Sequence, residues 1–74
     1  MNDEYKIHFG NNVRKCRERA KLTQENLSAK LQVRGCDITR SALAKIEVGQ
    51  RHIYPDEIKC LKEVLSVSYE ELFD

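Results

Sequence analysis

One local pattern, repeated three times, limits the fold of this 74-residue chain more than any other feature. A hydrophobic residue precedes a Ser or Thr, and a second hydrophobic residue stands four positions beyond that hydroxyl. The instances are Leu22-Thr23 with Leu27, Ile38-Thr39 with Leu43, and Val67-Ser68 with Leu72. In each, the hydroxyl is placed to accept a hydrogen bond from an orphan amide of a first helical turn, and the two apolar side chains close a staple across the cap. Ser68 with Glu71 adds the reciprocal partner of a full capping box. Helix starts are therefore predicted just after Thr23, Thr39 and Ser68.

Between these points the apolar spacing is helical. A first helix is predicted over residues 3 to 20, with Phe9, Val13, Cys16 and Ala20 as its buried stripe. Gly10 inside it costs about 1 kcal/mol relative to alanine, which points to close packing at that position. A second helix over residues 24 to 32 buries Leu27 and Leu31, and a third over 40 to 48 is stopped by Gly49. Pro55 suits a first helical turn, and Asp56 and Glu57 favour the positive end of the helix dipole there. That fourth helix buries Ile58, Leu61 and Leu65, and a short fifth over 69 to 73 ends with Leu72 and Phe73. The fold class is all-α, five helices in a single domain over residues 1–74. A core this small buries only ~60% of the unfolded chain's surface, so stability is marginal or shared with a partner subunit. A composition of 41% hydrophobic and 34% charged residues, with one proline, fits this reading better than disorder or strands.

The net charge of +1 conceals a strong polarity. Residues 1–51 hold eleven Lys and Arg against six acids, a net +5, whereas residues 52–74 hold two against six, a net −4. Such a division suits a polyanion on one side, with simple solvated charge as the alternative. No apolar run reaches the roughly 18 residues of a membrane span, and the opening MNDE is unlike a signal peptide, so a cytoplasmic protein without membrane contact is expected. Cys16, Cys36 and Cys60 form no C-x-x-C pair, which argues against a disulfide framework or a zinc site. Cys16 and Cys60 read as small core hydrophobes, leaving Cys36, in a turn, as the one redox candidate. No cofactor or metal is expected. An enzyme has little support, because His8 and His52 lack partners at ligand spacing, Ser41 has no recognisable base, and no glycine-rich phosphate loop occurs.

Four segments follow in order: Phe9-Gly10 with Val13, Cys16 and Arg17, then LTQENLSAKL, then ITRSALAKIEVGQR, and finally LSVSYEELF. Their order and spacing resemble the Cro/C1-type, or XRE, helix-turn-helix family of regulators. The resemblance implies a lambda-repressor-like domain whose third helix enters the major groove. It matches Arg17 and Glu47 to a structural ion pair between the first and third helices, with an exposed pair as the alternative. It matches Thr39, Arg40, Ser41 and Lys45 to groove-facing positions. Arg40 has the fork for a guanine, Ser41 bonds to several bases, and Ala42 suits a thymine methyl. Thr23 and Gln24 at the start of the second helix, and Gln50, Arg51 and His52 after the third, are the expected phosphate contacts.

Two departures from the family pattern stand out. The segment QVRGCDI lengthens the turn between the second and third helices, with Gly35 expected at positive φ and Arg34 offering its own phosphate contact. Ser28 and Lys62 stand where the family often has alanine. The implied function is a sequence-specific transcriptional regulator, a repressor binding double-stranded DNA as a homodimer through a surface near Tyr69, Leu72 and Phe73. The competing reading is an antitoxin-like or other protein-interaction module of the same fold, whose acidic C-terminal segment meets a protein partner.

Overall fold

The computed structural model describes residues 3–74, so the Met1-Asn2 start read above lies outside the described residues. Five helices follow in order: α1 (Asp3–Arg19), α2 (Gln24–Val33), α3 (Arg40–Glu47), α4 (Pro55–Leu65) and α5 (Tyr69–Phe73). All three expected hydroxyl caps are formed. Thr23 Oγ1 accepts from the Asn26 amide at 3.0 Å, Thr39 Oγ1 from Ala42 at 3.1 Å, and Ser68 Oγ from Glu71 at 3.1 Å. Glu71 returns the bond by accepting from the Ser68 amide at 3.0 Å. Beneath each cap the staple residues Leu27, Leu43 and Leu72 are fully buried.

The core gathers Phe9, Val13 and Cys16 of α1, Leu27 and Leu31 of α2, Ile38, Leu43 and Ile46, and Cys60, Leu61 and Leu65 of α4. Phe73 is partly exposed but sets its ring 5.0 Å from that of Phe9. Ile58 is only half-buried, packed against the core's edge. Two helix ends differ from expectation for local reasons. Lys21 adopts φ 61°, which turns the chain after Arg19 and leaves Ala20 exposed instead of on the buried stripe. Val48 is the C-cap of α3, not its last residue. Asn12, not singled out above, is buried and donates to the Leu72 carbonyl at 2.9 Å, tying α5 to α1.

Gly10 is where α1 crosses the end of α3. A Cβ there would run into the Ile46 carbonyl oxygen and approach that of Glu47 to 2.7 Å. Both obstacles are backbone, so neither can rotate away. Gly10→Ala gains about 1 kcal/mol of helix propensity but forces two helices apart, an overpacking cost of about 1–3 kcal/mol. The expected balance is a net loss, visible as a lower urea midpoint with unchanged m-value. A variant more stable than the parent would mean that α1 and α3 are not in backbone contact.

Candidate nucleic-acid interface

The inner face of α3 is anchored by a buried ionic network. Arg17 donates from Nε to Glu47 Oε2 at 2.7 Å and from Nη2 to Oε1 at 3.1 Å, while its Nη1 reaches the Leu22 carbonyl at 2.8 Å. Gln24 adds a third donor to Glu47, Nε2 to Oε1 at 3.1 Å. The Glu47 side chain is 2% exposed and that of Arg17 11%, so the buried-pair reading holds over the exposed one. The hydrogen bonds that Arg17 donates to Glu47 push its pKa above the ordinary value, and the guanidinium is charged at every relevant pH. This network joins α1, the α1–α2 turn, α2 and α3, and it fixes the orientation of α3 on its neighbours.

Turning Leu43, Ile46 and Glu47 inward leaves Ser41 and Lys45, four residues apart, in line on the outer face. Arg40 opens the helix, exposed beside them. Among the described residues, the side chains of Arg40, Ser41 and Lys45 make no hydrogen bond or ion pair with the rest of the chain. The only acid of α3 is Glu47, which is neutralised by Arg17 in the interior, so the exposed surface of the helix is purely cationic. Thr39 is exposed as well, but its hydroxyl oxygen is engaged as the cap. Ala42 is half-buried and packs against the core, at the flank of the outer face. Val48, expected only as the end of the third helix and not on its outer face, continues the Ser41–Lys45 line and is 55% exposed. Its spacing of seven from Ser41 was the available signal.

The flanking residues divide. Gln50 and His52 are exposed beyond the end of α3. Arg51 is not a free cation: Nη1 and Nη2 each donate to Glu57 at 2.9 Å, and Nη1 also to the His52 carbonyl at 2.8 Å. Glu57 of α4 holds Arg51 in an architectural pair, so a phosphate contact by Arg51 would require its guanidinium to share or leave that carboxylate. The Gln24 amide donates to Glu47 and the Thr23 hydroxyl oxygen accepts as the cap, so each side chain is held in place while keeping one hydrogen to donate. Arg34 stands 3.5 Å from Glu63 of α4, with both side chains largely exposed.

Glu57 also accepts from the Tyr54 amide at 3.1 Å, capping α4. The bonds from Arg51, with a smaller contribution from that amide, hold its carboxyl below the ordinary 4.5. The charged form is therefore favoured by folding. Its contribution to stability is complete above pH 4.5 and is lost as pH falls through the lower folded value. Glu57→Gln is expected to have a lower urea midpoint than the parent at neutral pH, with the two converging as acid removes the parent's charge. Parallel pH profiles would show that this pair does not contribute.

The cysteines are reduced, Cys16 and Cys60 buried and Cys36 half-buried. Burial, then a hydrogen bond with the Cys60 thiol, pushes Cys36 up to about 12. Its thiolate is scarce at neutral pH, so the turn cysteine lacks the reactivity expected of a redox site. No cluster of three or more metal-ligating side chains occurs among the described residues, and no described helix is long and apolar enough to cross a membrane.

Comparison with known proteins places this geometry. A profile described as helix-turn-helix matches residues 13–72. The chain is 30% identical over its 74 residues to the control protein C.BamHI of Bacillus amyloliquefaciens, covering 86% of that protein. The restriction-modification controller protein C.AhdI of Aeromonas hydrophila has the same fold, with a TM-score of 0.84 at 28% identity over 96% of each chain. The DNA-binding domain of BldD matches over the full length of both chains with a TM-score of 0.85 at 23% identity, a likeness of fold. With the match spanning most of the chain and α2 and α3 in the expected arrangement, this protein belongs to the Cro/C1-type helix-turn-helix family.

Proposed function

We propose that this protein is a sequence-specific DNA-binding transcriptional regulator that reads the major groove with α3 and represses by occupying a promoter. One observation carries the reading: α3 presents Arg40, Ser41 and Lys45 outward without partners among the described residues, on a helix whose single acid is buried. A cationic helix of this kind fits the groove with its N-terminal residues against base edges. Arg40 and Ser41 read bases. Lys45 and Val48 extend the contact along the helix, and Ala42 borders it. Gln50 and His52, together with the open amides at the start of α2, receive phosphates and set the register. Arg34 is a peripheral phosphate contact once it leaves Glu63.

The protein acts in the cytoplasm as a homodimer, since one eight-residue helix spans too few base pairs for high specificity. Leu72 is fully buried and belongs to the core, so the subunit contact falls to the exposed parts of Tyr69 and Phe73. The names of the relatives, a control protein and a controller, support a regulatory role.

The test is selection from a random duplex library, with affinity for the winning site measured at two salt concentrations and mass by light scattering. The expected result is a two-fold related consensus with half-sites about one helical turn apart, bound by twice the 8.6 kDa chain. Binding without a consensus, fading only with salt, would reduce the basic half to a polyanion surface and favour a protein partner as the physiological target.

A further inference from the structure

The lengthened turn and the serine in α2 are two ends of one contact. Ser28 is 4% exposed, and its hydroxyl donates to the Ile38 carbonyl at 2.7 Å. Gln32, one turn later on α2, donates from Nε2 to Ser28 Oγ at 3.2 Å and to the same carbonyl at 3.4 Å. Ile38 is fully buried, so its carbonyl has no water to fall back on. That carbonyl belongs to the peptide unit that enters Thr39, the cap of α3, and Arg40 follows at once.

The other end of the turn is held to α2 as well. The amides of Gly35 and Cys36 donate to Gln32 and Leu31 at 2.9 Å each, and Gly35 takes φ 85°, the left-handed value that glycine adopts without strain. Without the Ser28 bond the polar attachment of the added segment to α2 between Cys36 and the start of α3 would be reduced to the longer Gln32 contact at 3.4 Å. Its apolar attachment, the Ile38–Leu43 staple, sets depth but not the rotation of the peptide plane.

We infer that Ser28, assisted by Gln32, is a positioning residue for base reading: it fixes the long turn at the Ile38 carbonyl and so sets the direction in which Arg40 leaves the protein. The inference rests on the DNA-reading role proposed above. It makes Ser28 the accommodation for the inserted residues. An alanine there could not hold a turn of this length, and a shorter turn would not need it.

The experiment compares the full chain with Ser28→Ala, Gln32→Ala and the double variant on the selected duplex and on its single-base variants. Urea denaturation gives the folded fraction of each. The double variant is expected to lose about tenfold or more on the selected site, with the loss concentrated as flattened preference at the bases under Arg40. Preference under Lys45 and binding to random duplex hold. Gln32→Ala, an exposed residue whose loss the fold tolerates, is expected to show the same flattening at smaller amplitude. Hydrogen exchange of the Ala42 and Leu43 amides, measured without DNA, is expected to quicken in both Ser28 variants relative to the Leu27 amide of α2. A base-preference profile unchanged in shape, or specific and random binding falling together, would overturn the inference while leaving the DNA-reading role intact. A parent protein with no consensus would instead defeat that role. The exchange measurement would then still decide whether Ser28 holds the turn, and unchanged exchange would reject it.

Discussion

Arg17→Met is expected to destabilise the fold by about 3–5 kcal/mol, most of what a domain of this size has to lose. The substitution keeps the length of the side chain but strands the Glu47 carboxylate, 2% exposed, with the Gln24 amide as its remaining side-chain donor. It also frees the Leu22 carbonyl that the guanidinium satisfied. At roughly 4–8 °C per kcal/mol for a small domain, the melting midpoint is expected to fall by at least about 12 °C. Glu47→Leu should cost a similar amount by leaving the guanidinium unpaired. The double variant discriminates between explanations. A buried ion pair contributes little net stability against an apolar pair of similar volume, so Arg17→Met with Glu47→Leu is expected to recover much of the loss. Additive losses in the double variant would mean that each side chain acts through packing and not through the pair.

The recovery would not extend to DNA binding in equal measure. Gln24 takes its bearing from the Glu47 carboxylate, and α3 meets α1 at two places through Glu47, its carboxylate on Arg17 and its backbone against Gly10. A core made apolar can pack α3 well and still hold it at a slightly different angle. Stability and docking angle are separate properties of the same residues.

What was legible in the sequence follows the range of the interaction. A cap and its staple span five or six residues, so the starts of α2, α3 and α5 could be read from Thr23, Thr39 and Ser68 alone. The Arg17–Glu47 pair spans thirty residues and was legible only through resemblance to a family. The Arg51–Glu57 pair was not legible, because Glu57 lies six residues on across a loop, a spacing that no helix or strand rule marks. A long cation beyond a recognition helix looks the same in sequence whether it reaches a phosphate or folds back. The Ser28 contact was missed differently. The serine and the inserted turn stand in the sequence as separate departures, and nothing in the ten residues from Ser28 to Ile38 marks that one holds the other. Ala20 shows the limit of periodicity, since the stripe it would extend ends where Lys21 turns left-handed.

Arg40→Ala is expected to weaken binding to the selected duplex by about 1–3 kcal/mol, roughly 5- to 150-fold, and to relax the preference at one base position in each half-site. The loss can be assigned to recognition because nothing in the free protein depends on this side chain. Arg40 is exposed and has no ion-pair partner among the described residues. It occupies the first position of α3, where alanine is well tolerated, so stability is expected to stay within about 0.5 kcal/mol of the parent. The salt dependence separates two roles that a simple affinity measurement would merge. A guanidinium paired with a guanine releases no phosphate counterion, so the slope of log K against log salt should be nearly unchanged. A phosphate contact would lower that slope by about one and weaken every sequence alike. Lys45→Ala provides the internal comparison, one turn further along the same face. If Arg40→Ala shows uniform weakening with a reduced slope and Lys45→Ala shows the relaxed base preference, the reading end of α3 lies a turn later than the unpartnered arginine indicates. The long turn would then hold the N-terminus of α3 against the backbone and not over the bases.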